Sequence, residues 1–127
     1  MILSFTDDQI NEILTFANSQ KNIKKYVAVI SGNGESPPVV TVLENTVGNI
    51  VWTWIETNHV RGTLSGAFLE NKIWFISSND YWNVLNSDLY SIPYIGRNSD
   101  NAIDIYASTG PAYGNVWRTN IEIRVYP

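Results

Sequence analysis

The sequence predicts a mainly β protein: an antiparallel β-sandwich-like domain with one N-terminal α-helix. The first observation is that short apolar and threonine-rich runs between Val39 and Phe75 alternate with Gly and Asn, a spacing typical of antiparallel strands. The second is a single segment of helical period near the N-terminus. With 127 residues, 44% of them hydrophobic, and no cysteine, the chain can bury one core without disulfides. We therefore expect one domain over residues 1–127, with a helix at 7–20 and a β domain at 23–127.

The helix is predicted from its capping residues and its apolar stripe. Thr6 stands three residues before Gln9, which is the spacing of a capping box. The acidic residues Asp7 and Asp8 suit the positive end of a helix. Apolar residues then recur on one helical face at Ile10, Ile13, Leu14 and Ala17. We expect this stripe to pack on the domain's own sheet; docking on another chain is the alternative.

Seven or eight antiparallel strands are expected from the spacing of the turn residues. The clearest runs cover residues 26–31, 39–43, 50–57, 60–65, 72–77, 102–107 and 119–125. Because proline cannot donate to a β-ladder, Pro37 and Pro38 predict that the second run lies at a sheet edge. The third, fourth and fifth runs follow one another closely and predict a meander, with Asn58 and His59 in its first turn. Residues 78–101 lack regular alternation and are predicted to form an elaborated loop.

One segment resembles a recurring motif. Its parts are YVAVISG at 26–32, PVVTVLENTVG at 38–48, IVWT at 50–53, TLSGAF at 63–68 and IWF at 73–75. This pattern is similar to that of small β-rich proteins of Bacteroidetes-type bacteria and their phages, and the match covers residues 26 to 76. The resemblance implies an accessory or appendage protein, and it carries no catalytic residue. Beside the resemblance, residues 43–48 predict a strand end and a side-chain-capped turn in which Gly48 permits a positive φ.

The charge composition argues against nucleic acid as a partner. The formal net charge is −4 and the pI is near 4.7. Nucleic-acid binding needs a basic patch that neutralises phosphates, which eight scattered Lys and Arg residues do not obviously make. The first 14 residues contain neither a basic segment nor a long apolar stretch, so neither a secretory signal nor a membrane-spanning helix is expected. We expect a soluble chain without membrane insertion.

No residue pattern predicts a catalytic or metal site, so we expect a non-enzymatic protein with no cofactor. His59 is the sole histidine, and no nucleophile-elbow serine or second histidine accompanies it. We therefore expect His59 to have a turn role. Oxygen-bearing side chains between residues 79 and 104 include Asn98, Asp100 and Asp104. Turn capping explains them better than calcium binding, because their spacing fits no EF-hand loop.

Aromatic residues are the best candidates for a binding surface. Trp52, Trp54 and Trp74 fall within predicted strands and are expected in the core. Six others lie in or beside loops rich in Asn, Ser and Asp: Tyr81, Trp82, Tyr90, Tyr94, Tyr113 and Trp117. These six are the predicted ligand-binding or partner-binding residues. A protein partner is favoured over a glycan, because aromatic enrichment is a general trait of protein interfaces.

Together these observations favour a non-catalytic structural or adhesion module associated with a phage tail, a virion or a bacterial surface appendage. A second contact would be the strand at 119–125, which is predicted to be half exposed because Ile121, Ile123 and Val125 alternate with polar residues. Self-association is expected, because appendage proteins repeat by symmetry and the helical stripe is self-complementary. The alternative function is a lectin-like glycan-binding module that uses the loop aromatics.

Overall fold

The structure, a computed structural model, describes residues 4–78, 93–107 and 117–127. These ranges contain one helix and eight strands: α1 (Asp7–Lys21), β1 (Lys24–Gly32), β2 (Val39–Asn45), β3 (Val51–Glu56), β4 (His59–Thr63), β5 (Ile73–Ser78), β6 (Pro93–Ser99), β7 (Ala102–Ala107) and β8 (Trp117–Val125). The strands form two four-stranded sheets in which every pairing is antiparallel. The predicted fold class, an antiparallel β-sandwich-like domain with one N-terminal helix, is confirmed.

The observed strands differ from the predicted topology in the meander and in the stretch predicted to be a loop. Sheet A has the order β2-β1-β8-β5 and sheet B the order β3-β4-β7-β6. β3 and β4 form the predicted hairpin, but β5 pairs with β8 in the other sheet, so the predicted three-stranded meander is wrong. β6 lies within the stretch that was predicted to be a loop. β2 is an edge strand, as the prolines before it predict.

The core lies between the inner faces of the two sheets. Because side chains alternate along a strand, every second residue of the central strands points inward. Nine of these inward side chains are at most 2% exposed: Tyr26, Ala28, Ile30, Val60, Ile103, Ile105, Trp117, Ile121 and Ile123. Phe68, which lies between β4 and β5, is also fully buried in this core. Close packing at Trp117 requires a glycine on the neighbouring strand, since a Cβ on Gly32 would lie 2.6 Å from the indole ring. Each sheet thus covers the apolar inner face of the other.

The exposure of several apolar and aromatic side chains differs from what the sequence predicts. Trp117, a predicted partner-binding residue, is 1% exposed and belongs to the core. Ile121 and Ile123 are also fully buried, so the apolar face of β8 is not a contact surface for a partner. Conversely, Trp54 and Trp74 are about two-fifths exposed rather than buried. They lie on edge strands, where one side of a residue has no neighbouring strand to cover it.

The helix begins as predicted but packs differently. The backbone N–H of Thr6 donates to Gln9 Oε1 at 3.0 Å, and the N–H of Gln9 donates to Thr6 Oγ1 at 3.2 Å, which confirms the capping box. The expectation that the apolar stripe packs on a sheet is wrong, because Ile10, Ile13 and Leu14 are all exposed. The physical reason is that the inner faces of the two sheets already cover each other. Within the described ranges, no helix has the length and apolar character needed to cross a bilayer.

The predicted turn after β2 is confirmed in detail. Asn45 Oδ1 accepts hydrogen bonds from the backbone N–H groups of Val47, at 2.9 Å, and Gly48, at 3.1 Å. Asn45 Nδ2 donates to the carbonyl of Gly48 at 2.8 Å. Gly48 has a φ of 139°, which an L side chain rarely adopts. This turn carries the chain from β2 in sheet A to β3 in sheet B.

Candidate functional site

The outer face of sheet B carries a cluster of polar and aromatic side chains, which we call the sheet B cluster. Alternate residues of three neighbouring strands face the same side of the sheet. The register places Arg61 opposite Asp104 and His59 opposite Tyr106 across β4 and β7. The cluster consists of His59 and Arg61 on β4, Tyr94, Gly96 and Asn98 on β6, and Asp104 and Tyr106 on β7.

Asp104 is the centre of this cluster, and its side chain is held by hydrogen bonds. Asp104 is only 4% exposed. Arg61 donates to it from Nε to Oδ1 at 2.7 Å and from Nη2 to Oδ2 at 3.2 Å. Asn98 Nδ2 donates to Oδ2 at 3.0 Å, and His59 Nε2 lies 3.3 Å from the same oxygen. A buried carboxylate is stable in such a setting because its oxygens are satisfied.

The partners of Asp104 also determine its charge. Burial raises the pKa of the Asp104 carboxyl, but the hydrogen bonds from Arg61 and the nearby imidazole of His59 outweigh burial, so this pKa lies below its ordinary value. The hydrogen bond to Asp104 in turn raises the pKa of the Arg61 guanidinium. At neutral pH the site therefore contains a fixed ion pair.

Three aromatic rings stand in a row across the strands of the cluster. The ring centroids of His59 and Tyr106 are 4.1 Å apart, and those of Tyr106 and Tyr94 are 5.9 Å apart, with an angle of 21° between the ring planes in each pair. Tyr94 lies at the outer end of the row, on edge strand β6, and is 57% exposed. Because Tyr106 stacks on one face of the Tyr94 ring, the opposite face is the one available to a ligand.

His59 has a different place from the one expected. The turn of the β3–β4 hairpin is formed by Thr57 and Asn58, and Asn58 adopts a φ of 59°. His59 is the first residue of β4 and is 4% exposed, so its predicted turn role is wrong. Its Nδ1 lies 3.4 Å from Oε1 of Glu56, whose side chain is 71% exposed. The imidazole thus lies between a buried carboxylate and an exposed one.

A notch opens in the cluster where β6 carries a glycine. Gly96 lies opposite Asp104, and a Cβ on Gly96 would have no heavy atom of the described residues within 4 Å. Side chains on one face of a strand are about 7 Å apart, so the glycine leaves one such position empty. The register shifts between Arg97 and Ser99, and this bulge turns Asn98 towards Asp104. The notch therefore has Tyr94 at one end, Asn98 at the other and the Arg61–Asp104 pair behind it.

The structure brings one of the six predicted binding residues, Tyr94, into this cluster. Four of the others lie outside the described residues: Tyr81, Trp82, Tyr90 and Tyr113. No sequence pattern predicts a binding role for Arg61 or Gly96, and for Asn98 the sequence favours turn capping over calcium binding. One sequence signal was available for Asp104, which is charged and interrupts an otherwise apolar strand, AIDIYA, although Asp is depleted in strands.

The oxygen-bearing residues near the cluster bond to protein groups. Asp100 pairs with Arg97 through Oδ1 and Nη2, and Asn101 Oδ1 accepts a hydrogen bond from the N–H of Gly66 at 2.8 Å. In the part of the chain that the structure describes, no group of three or more His, Cys, Asp or Glu residues could hold a metal ion. The turn-capping role that the sequence predicts for Asp104 is wrong, because Asp104 lies within β7 and its carboxylate pairs with Arg61 on the neighbouring strand.

No protein-family model, curated protein or solved structure matches this chain.

Proposed function

We propose that the protein is a non-catalytic adhesion module that binds a neutral glycan at the sheet B cluster. The observation that carries this proposal is the open notch above Gly96, with the exposed Tyr94 ring at one end and the hydrogen-bonded Asp104 behind it. The proposal keeps the binding role predicted from the sequence, but moves it from the loops to a sheet face and takes the glycan alternative as the ligand.

The notch offers a match for both kinds of surface on a sugar ring. The free face of the Tyr94 ring, on the side away from Tyr106, is available to pack on the slightly positive C–H groups of a sugar unit at the edge of sheet B, next to a unit in the notch. The hydroxyl groups at the sugar's edge donate and accept hydrogen bonds, which the Arg61 guanidinium and the Asn98 amide can complement. An apolar wall with a few convergent polar groups is the usual composition of a small-molecule site.

The polar groups around the notch are held in place before any ligand arrives. The bidentate pair with Asp104 fixes the plane of the Arg61 guanidinium, and the side chain of Arg61 remains 31% exposed. The hydrogen bond to Asp104 likewise fixes the Asn98 amide. A ligand that meets ordered groups loses less conformational entropy on binding. Because the charges of Arg61 and Asp104 balance, a neutral sugar suits the site better than a charged one.

The same contacts support recognition rather than catalysis. The oxygens of Asp104 accept three hydrogen bonds from protein groups. Both ring nitrogens of His59 lie within 3.4 Å of a carboxylate oxygen. A general base or a nucleophile needs a lone pair directed at the substrate, and here these groups face one another instead.

The substitution Gly96→Val tests this proposal, because the valine side chain would fill the notch. The added side chain has open space around it, and a β-branched residue suits a strand, so the fold should tolerate the change. We expect wild-type protein to be retained on an array of immobilised neutral oligosaccharides and Gly96→Val to lose this retention. Tyr94→Ala should weaken binding about tenfold, because it removes the stacking surface.

The matched control is Trp74→Ala, which removes a half-exposed aromatic residue from the outer face of sheet A. This variant should bind the same oligosaccharides with unchanged affinity. The proposal fails if wild-type protein is retained by no oligosaccharide, or if Gly96→Val and Tyr94→Ala both bind as wild type does.

The structural role predicted from the sequence is a second candidate, and a different observation favours it. The apolar stripe of α1 is exposed and packs on neither sheet, which supports assembly with another protein surface. Association with a phage tail, a virion or a bacterial surface, which the motif resemblance implies, would combine both roles in an appendage protein. That location stays a prediction.

A further inference from the structure

We infer that the protein forms a dimer in which β2 and β3 pair, antiparallel, with β2 and β3 of a second copy of this chain. Both are edge strands, β2 in sheet A and β3 in sheet B. Among the described strands, neither has a neighbour on its outer side, so a row of backbone N–H and C=O groups there lacks a ladder partner. The surface that matches such a row is another strand.

The two open edges lie on the same side of the sandwich. The other two edge strands, β5 and β6, approach each other, and their inner-face residues Phe75 and Ile95 pack against the core. β2 and β3 therefore share the opposite side. There Trp54 Nε1 on β3 donates to the carbonyl of Gly34, between β1 and β2, at 2.9 Å. The sandwich is thus closed along β5 and β6 and open along β2 and β3.

Apolar residues of the inner faces reach solvent on the open side. Val42 lies opposite the buried Ala28, so its side chain points between the sheets. Trp54 lies opposite the buried Val60 and points inward from the other sheet. Val42 and Trp54 are nevertheless 48% and 40% exposed. A second copy has the same open side, so it would continue both sheets at once and cover these two residues with its own.

The sequence of β2 fits pairing with an identical strand. Residues directly opposite each other in an antiparallel ladder face the same side of the sheet, so a two-fold symmetric ladder is centred on one residue. The run VVTVL at 39–43 is nearly symmetric about Thr41. Centring the ladder there pairs Val40 with Val42 on the inner face and Thr41 with itself on the outer face. Such apolar and threonine pairs stabilise a ladder.

The sequence of β3 has the same symmetry. The run VWTWI at 51–55 is centred on Thr53, and the corresponding ladder pairs Trp52 with Trp54 on the inner face. Each strand also contains a bulge, because its register with the neighbouring strand skips Leu43 in β2 and Ile55 in β3. Both bulges fall at the end of the symmetric run, so the central pairs are regular.

The charges of the two strands allow this pairing. Neither β2 nor β3 contains a lysine or arginine, the residues that commonly protect sheet edges from self-pairing. Their acidic residues, Glu44 and Glu56, each lie three positions from the central threonine. In the symmetric ladder, the two copies of each glutamate are therefore about 20 Å apart. Edge strand β6 differs, since it carries Pro93 and Arg97.

The geometry implies a two-fold symmetric and reversible dimer. Each chain uses the same patch, which is an isologous contact that closes at two subunits. The two symmetric runs contribute ten residues per chain, fewer than the roughly 20–30 on each side of a standard interface. We therefore expect dimer formation to depend on protein concentration.

Sedimentation velocity with charge variants at Thr41 tests this inference. Wild-type protein should shift from monomer to dimer as its concentration rises. Thr41→Lys should raise the dissociation constant about tenfold, because it places two like charges directly opposite each other at the centre of the ladder. Thr41→Glu should do the same. An equal mixture of the two variants should restore dimers, because lysine then lies opposite glutamate.

The matched control is Ile76→Lys, on the closed side of the sandwich. Ile76 is an outward residue of β5, the other edge strand of sheet A, and is 49% exposed. This variant should dimerise as wild type does. Thr41 is also exposed, so circular dichroism should show wild-type helix and sheet content for all three variants.

Hydrogen exchange locates the interface independently of any substitution. In wild-type protein, the backbone amides of β2 and β3 should exchange more slowly as the concentration rises through the dissociation constant. Amides of β5 and of α1 should exchange at the same rate in monomer and dimer.

Three outcomes would overturn the inference. One is a wild-type protein that stays monomeric at every concentration. Another is a dimer that Thr41→Lys and Thr41→Glu both leave intact. The third is a dimer in which the amides of β2 or of β3 exchange as fast as in the monomer. None of these measurements involves a glycan, so they leave the test of the sheet B cluster unaffected.

Discussion

Helix α1 and the sheet B cluster reverse the usual relation between polarity and burial. Ile13 on α1 is 54% exposed, whereas the ionisable residues Asp104 and His59 are each 4% exposed. These exposures differ because of the side chains that surround each residue, and not because of the hydropathy of the residue itself. Asp104 is buried and accepts hydrogen bonds from Arg61 and Asn98, while nothing in the described part of the chain covers the stripe of α1. Both regions depart from the ordinary pattern of buried apolar and exposed charged residues, which is why both are proposed as binding surfaces.

The largest effect is expected from Asp104→Asn. Removing the carboxylate takes the ion-pair partner from the partly exposed Arg61 and puts an amide at the buried position of Asp104, which should lower the free energy of unfolding by about 2–4 kcal/mol. Glu56→Gln is the matched control, because it removes the other carboxylate beside His59. Glu56 is exposed, so its loss should cost less than about 1 kcal/mol. Urea denaturation measures both values, and equal effects would show that burial does not distinguish the two carboxylates.

A pH titration of stability should give an intermediate effect. The hydrogen bonds that hold the Asp104 pKa below its ordinary value stabilise the folded protein wherever the unfolded chain also has an ionised carboxylate. This contribution is therefore complete above about pH 4, the ordinary range for aspartate. It is lost as the pH falls through the lowered folded-state pKa.

The comparison with Asp104→Asn isolates that contribution. Urea denaturation of both proteins from neutral to acidic pH should give a constant difference in the free energy of unfolding above pH 4. The difference should shrink at lower pH. A difference that stays constant down to the most acidic condition would mean that Asp104 does not have a lowered pKa.

The smallest effect is expected from Ile13→Ser in dilute protein. Because Ile13 contacts water in the monomer, the substitution should change the free energy of unfolding by less than about 0.5 kcal/mol. Urea denaturation at concentrations where only monomer sediments gives this value. A loss of several kcal/mol there would mean that the side chain is covered within its own chain, and the comparison with Asp104 would no longer hold.

Local sequence signals predicted much of the fold. The Thr6 and Gln9 capping box, the turn at Asn45 and Gly48, and the edge position of β2 are each determined by a few neighbouring residues. β6 was missed because Pro93, Gly96 and Asn98 are all poor strand formers, and because one of its residues is a bulge. Its pairing with β7 supplies the stability that its own residues lack.

The candidate site was harder to predict for a geometric reason. Arg61 and Asp104 are 43 positions apart, and only the register between β4 and β7 brings them together. Periodicity shows which residues share a face of one strand, but not which strand lies beside it. For the same reason the sequence could not show that β5 joins sheet A, or that Trp117 is covered by Gly32.

The order of strands in sheet A has a consequence for how the protein is made. β1 is the first strand to leave the ribosome, yet one of its two partners, β8, is the last of the eight described strands. The 84 residues between Gly32 and Trp117 take roughly 4 to 17 s to add at the usual rate of synthesis. During that interval the apolar face of β1 lacks half of its sheet, and sheet B is itself incomplete until residue 107 has been added. The nascent chain is therefore most exposed to misassociation at β1, and a chaperone that binds extended apolar segments would act there first.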